Sequence, residues 1–151
     1  MKKGFLSVLL TIAFSSTVYA ADIVIKSESL QEKVVSKQTK WVKAAKVIPG
    51  TKIRYVDTVI SNGTKEVQNL VIINPIPMYM LYVGGSAKCD GACSITYSLD
   101  GKVFDVPAKL FVTEKGKKRI AKATEYKAIR WALPTLGAKQ SISVYFDATL
   151  E

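Results

Sequence analysis

The side chains able to do chemistry are few. The 151-residue chain contains no histidine, which removes Ser-His-Asp triads, Cys-His dyads and the commonest metal sites. Paired carboxylates could serve a glycosidase. However, Asp57, Asp100, Asp105, Glu114, Glu125 and Asp147 are scattered along the chain. Most fall in or near turns or on polar strand faces, so they read as solvated charges. Gly84-Gly85 lacks the following lysine and helix that a phosphate-binding loop needs. The chain reads as non-enzymatic, with no catalytic residue, no cofactor and no metal.

Cys89 and Cys93 are the two cysteines, spaced Cys-x-x-x-Cys. Their setting depends on the first twenty residues. Lys2 and Lys3 form a positive head, residues 5–14 are mostly apolar, and Val18-Tyr19-Ala20 suits a signal peptidase. A cleaved secretory signal at 1–20 is the expectation. An uncleaved anchor is the rival, weakened by the short apolar run and by Ser15, Ser16 and Thr17. Ala21 in place of a cysteine argues against a lipid anchor. No other run is long enough for a membrane span. Export to the periplasm, the cell surface or the medium makes a Cys89–Cys93 disulfide the default. It would close a very short loop, adding about 2 kcal/mol at most on the chain-entropy argument. A redox pair would normally read Cys-x-x-Cys at a helix start, and a metal site would need two more ligands.

The remaining chemistry is positive charge. The formal charge of +10 falls to +8 when Lys2 and Lys3 leave with the signal. Such a balance favours anionic partners, which outside the cytoplasm are acidic polysaccharides, lipid headgroups or extracellular DNA. The candidate anion-binding residues are Lys115, Lys117, Lys118 and Arg119, with Lys37, Lys40 and Lys43 as a second group. Lysine-rich hairpin tips also serve plain solubility.

The elements that position these residues are strands. Period-two patterning runs almost throughout and sustained helical periodicity with caps is absent. Ile23 and Ile25 open a first strand, and residues 37–47 read as a basic edge strand around Trp41. A helix over 33–46 is the alternative there, placing Lys37, Lys40 and Lys43 on one face. Pro49-Gly50, Asn62-Gly63 and Asp100-Gly101 mark turns, the last as a type I′ hairpin with 103–106 returning. Residues 51–61, 67–74, 78–83, 129–133 and 142–150 read as strands, as do the alternating Ala108, Leu110 and Val112. Trp131 alternates with Ile129 and Leu133 and so faces a core, leaving Arg130 on the opposite surface. This spacing predicts about seven to nine short antiparallel strands in a soluble sandwich or barrel. A transmembrane barrel is disfavoured, because lysines and prolines interrupt any lipid-facing band. The organisation is a signal at 1–20, an N-terminal strand and basic lead-in at 21–46, and a β-domain at 47–151.

Five strings carry a resemblance: YVDTVISNG at 55–63, VIINPIP at 71–77, YVGGSA at 82–87, ITYSLDGKVF at 95–104 and EYKAIRW at 125–131. In this order they resemble the bacterial surface repeat known as domain-of-unknown-function family eleven, over about residues 47–150. The resemblance implies an immunoglobulin-like antiparallel β-sandwich of secreted and cell-surface proteins, with no catalytic residues to carry over. The chain departs from the pattern in its single copy, its cysteine loop after Ala87, and Lys127-Ala128 where threonine-histidine often precedes Ile-Arg-Trp. One copy suits a standalone secreted or periplasmic factor better than a spacer.

The leading functional expectation is an exported structural, adhesion or protein-binding module that pairs with an unknown protein or with itself through sheet faces or edges. The segment 78–82, MYMLY, is a candidate surface if exposed. A binder of anionic polymer or membrane surface is the alternative, and a periplasmic chaperone-like accessory is the third reading.

Overall fold

A computed structural model describes residues 23–151. The expected signal peptide and its cut after Ala20 lie outside the described residues. Antiparallel strands in several sheets dominate, and among the described residues helix is confined to two short 3₁₀ turns, Pro107–Lys109 and Ala123–Glu125. Among the described residues no helix is long and apolar enough to cross a membrane.

The strands are β1 (Ile23–Val35), β2 (Gln38–Lys43), β3 (Lys52–Ser61), β4 (Val67–Pro75), β5 (Met80–Tyr82), β6 (Lys88–Cys89), β7 (Ser94–Ser98), β8 (Phe111–Glu114), β9 (Lys117–Ile120), β10 (Ala128–Leu136) and β11 (Ser141–Leu150). The larger sheet runs β2-β1-β3-β11-β5, with β6 also on β11. The smaller runs β4-β10-β7, and β8 pairs with β9 as a separate hairpin. These eleven strands among the described residues exceed the expected number, because β6 and β9 are too short to announce themselves by periodicity.

Alternation decides what each sheet buries. On β3, Ile53, Val59 and Ser61 are buried while Lys52, Arg54, Val56, Thr58 and Ile60 are only half-buried. On β11, Val144, Phe146 and Ala148 turn inward. On β10, Ile129, Trp131 and Leu133 do the same, so Trp131 belongs to the core that its spacing implies. Buried residues of both sheets form one cluster. Trp131 and Phe146 meet across it with ring centroids 6.2 Å apart. The Trp131 indole Nε1 donates to the Lys88 carbonyl at 3.1 Å, which satisfies its one polar atom. Tyr82, Tyr97 and Tyr126 extend the aromatic packing, with the Tyr82 and Tyr97 hydroxyls 3.3 Å apart. Desolvation holds the Tyr97 phenol well above the usual tyrosine range.

Several local expectations change. The helix over 33–46 does not form: β1 and β2 make a hairpin there, turning at Ser36 and Lys37 with φ of 51° and 63°. Both central residues are left-handed, as a type I′ turn requires. Asn62-Gly63 is no tight hairpin, and neither residue has positive φ. Both edges of β3 are already taken by β1 and β11, so β4 crosses to the smaller sheet and pairs with β10. Asp100-Gly101 is not a type I′ hairpin either, since only Gly101 has positive φ. The Asp100 carboxylate accepts from the Lys102 and Val103 amides at 2.8 and 2.9 Å, so the loop satisfies its donors without a ladder. Residues 103–106 therefore contribute only the isolated bridge of Asp105 to Tyr97. Ala108 and Leu110 flank or enter the first 3₁₀ turn instead of a strand.

Replacing Trp131 with alanine removes the largest fully buried side chain and is expected to cost about 3–5 kcal/mol in urea unfolding. A loss below about 1 kcal/mol would mean that the two sheets hold together without it.

Candidate functional site

The basic run is divided by its own hairpin. Lys115 and Gly116, with φ of 50° and 76°, form a type I′ turn closed by the Glu114–Lys117 pair. Alternation then places Lys117 and Arg119 on one face with Val112 and Glu114, and Lys118 on the other with Phe111 and Ile120. The Lys118 ammonium sits 4.3 Å from the centroid of the exposed Phe111 ring. Arg119 is committed inward: its guanidinium donates to Glu114 at 2.6 Å and to both oxygens of Glu125 at 2.7 and 2.8 Å. Lys115, Lys117 and Lys118 remain exposed, so three of the four candidate anion-binding residues are available at the tip. Lys37, Lys40 and Lys43 belong to the larger sheet. Lys37 lies in a turn, and strand alternation sets Lys40 and Lys43 on opposite faces.

The cysteines are joined. Cys89 pairs with Val144 on the far edge of β11, and Cys93 lies 6.6 Å away by Cα atoms. The bridge closes the loop immediately before β7 and fastens it to the larger sheet. Gly84 and Gly85 serve the same edge: the turn places the Ser86 hydroxyl to donate to the Val83 carbonyl at 2.6 Å and to accept from the Asp147 amide at 3.0 Å.

The scattered carboxylates are structural devices more than solvated charges. Asp147 is buried and takes a bidentate ion pair from Arg54, at 2.7 and 3.0 Å. That guanidinium lies 4.2 Å from the Trp41 ring centroid and 4.6 Å from that of Tyr145, tying β2, β3 and β11 together on the outer face. The hydrogen bond to Asp147 raises the Arg54 pKa further, against desolvation. Glu114 and Glu125 hold Arg119, Asp100 caps its loop, and Asp105 accepts from the Val106 amide at 2.8 Å.

Asp57 stands apart. It lies on the inner face of β3, opposite Ser27 of β1 and Val144 of β11, and is only 9% exposed. Among the described residues its carboxylate has no hydrogen bond and no ion pair. It lines a groove of about 230 Å³ with Ser27, Ser29, Tyr55, Asn74 and Phe146. The groove exists because the sheets are unequal. The larger sheet carries β1 and β2 beyond β3, whereas the smaller ends at β4, which pairs only with β10. The inner face of β1 is therefore uncovered at Ile25, Ser27 and Ser29, and Ile25 is 53% exposed. β2 pairs with β1 only from Leu30 onward, so Ile23–Glu28 also has an open edge. Asp57 looked like one of six dispersed acids. Its strand periodicity with Tyr55 and Val59 was the available signal that it faces inward.

The MYMLY segment splits. Met78 and Tyr79 are 79% and 68% exposed, Met80 packs partly against the core, and Tyr82 is buried.

The Arg119 network sets an acid dependence. Glu125 is held down from its ordinary 4.5 to about 2, first by hydrogen bonding to Arg119 and then by the Lys122 amide. A depressed carboxylate stabilises the fold above its unfolded value, and that contribution is lost as pH falls through the folded one. Stability should therefore drop between about pH 4.5 and pH 2, and Glu125→Gln should flatten that slope in urea titrations across the range. Asp100, held to about 2 by its loop amides, leaves part of the slope in place.

No family model, curated protein or solved structure matches the chain.

Proposed function

We propose that this chain is an exported, non-catalytic β module of the cell envelope or extracellular space that binds another protein, or a second copy of itself, along an open sheet edge. The observation that carries this reading is the unpaired edge of β4. An extended segment can add to such an edge through main-chain hydrogen bonds while its alternate side chains enter pockets. Val71 and Ile73 on that strand are 52% and 49% exposed. In this reading the sheets that share one core form an immunoglobulin-like sandwich resembling the surface repeat family named above. The Cys89–Cys93 bridge suits the oxidising compartments that export reaches. A strand-capturing periplasmic accessory is the same chemistry placed in one compartment. Charged residues on an edge strand deter pairing. The double substitution Val71→Lys, Ile73→Glu, which sets a carboxylate opposite Arg130, should thus abolish self-association in sedimentation and co-purification of envelope proteins, with an unchanged Tm. A wild-type protein that stays monomeric and enriches no partner would remove the reading.

The second reading rests on the exposed Lys115, Lys117 and Lys118 at the type I′ tip, as a contact for anionic polysaccharide or lipid headgroups. Retention on heparin should then fall steeply with salt. Neutral substitutions at those three lysines should abolish it, with Arg119 kept because it holds Glu114 and Glu125. Absent or salt-independent retention counts against this contact.

A further inference from the structure

We infer that the groove between β1, β3 and β4 is a binding site for an extended polypeptide strand of another protein that lays a lysine or arginine side chain onto Asp57. The inference rests on the edge-binding reading and specifies its partner's chemistry.

A carboxylate taken out of water is unfavourable unless a cation or several donors compensate it. Every other acid singled out in the sequence has such compensation, from Arg54, Arg119 or loop amides. Asp57 has none among the described residues, yet it is nine-tenths buried and faces an open groove. Its oxygens open onto the groove, and a cation entering there would supply the pairing that the described residues do not.

The groove selects the form of that cation. A hard divalent ion takes six or more oxygen ligands. Here one buried carboxylate is joined only by the exposed Glu28 at the rim. An ammonium or guanidinium fits better. Ser27, Ser29 and Asn74 offer side-chain oxygens, and the half-buried Tyr55, backed by Phe146 at 5.1 Å, offers an aromatic ring. About 230 Å³ is below the usual size of small-molecule pockets, roughly 300–1,000 Å³, and accommodates a single long side chain.

The sheet geometry selects the carrier. Strands in a sheet lie about 4.8 Å apart and stacked sheets about 10 Å apart. A strand added beyond β4 would therefore run above the exposed inner residues Ile25, Ser27 and Ser29 of β1. Every second side chain would point into the groove, where Ser27, Ser29 and Asp57 face it. Main-chain bonds to β4 supply general affinity, and the charge on Asp57 supplies preference.

The probes are two soluble peptides of alternating threonine and serine, one with a central lysine and its twin with norleucine. Binding is read by amide shifts in the full mature chain. The lysine peptide should shift β4 amides and bind about tenfold tighter than its twin. Asp57→Asn should bring it down to the twin's affinity, while the variant's Tm stays at the wild-type value, because no described residue pairs with the carboxylate. Equal binding of both peptides at β4 would overturn the role of Asp57 and leave edge binding standing. Absence of β4 shifts with either peptide would overturn both. Butylamine shifting Asp57 as strongly as the lysine peptide does would make the site one for small amines and overturn the strand. A dimer of the peptide-free chain lost in Asp57→Asn would overturn the foreign partner in favour of a second copy. A lowered Tm in Asp57→Asn would give Asp57 a structural role and overturn the inference.

Discussion

The contact on which the rest depends is the meeting of Trp131 and Phe146 between the two sheets. Each ring sits on an interior strand of its own sheet: β10 is flanked by β4 and β7, and β11 by β3 and the β5–β6 edge. A strand with partners on both sides is held in register, so the rings are presented from fixed positions. The surrounding side chains, Val59, Ile72, Leu133 and Val144, then close around them. Burial of large aromatic area is the main favourable contribution available to a domain of this size. Trp131 adds orientation, because its indole nitrogen reaches the Lys88 carbonyl and locks the short β6 segment against the core. The disulfide acts on that same segment and keeps a two-residue strand in place where periodicity alone could not.

Polar side chains organise the periphery. Arg54, flanked by Trp41 and Tyr145 and paired with Asp147, joins three strands on the outer face of the larger sheet. Arg119 does the same for the β8–β9 hairpin, tying it to the second 3₁₀ turn through Glu125. Bidentate arginine–carboxylate geometry suits these positions, since it fixes direction as well as distance. Against this pattern of matched charge, Asp57 is the exception, and it lies where the sheets fail to match in width.

That mismatch also explains which expectations changed. A turn signal at Asn62-Gly63 between two β-rich runs favours β4 pairing back onto β3. Strand pairing is competitive, however, and β3 already has neighbours on both edges. The helical alternative at 33–46 depended on three lysines sharing a face. The hairpin register of β1 and β2 prevailed because it pairs six residues with six, from Leu30–Lys43 to Val35–Gln38. The basic run was legible as a turn, but its division into exposed lysines and a committed arginine was not. That division depends on Glu125, which the chain brings back after the second strand of the hairpin.

From the sequence alone came the all-β class, the inward orientation of Trp131, the type of pairing and the presence of a basic turn. These follow from period-two alternation and turn chemistry, which are local and survive without knowing any neighbour. The tertiary structure decided which strands share a sheet, which sheet is wider, and therefore which edge stays open. It also decided the status of each carboxylate, since compensation of a charge depends on residues up to 93 positions away, as between Arg54 and Asp147. Asp57 reads in sequence as one acid among six. Only the unequal extent of the two sheets leaves it buried, facing a groove and without a partner among the described residues.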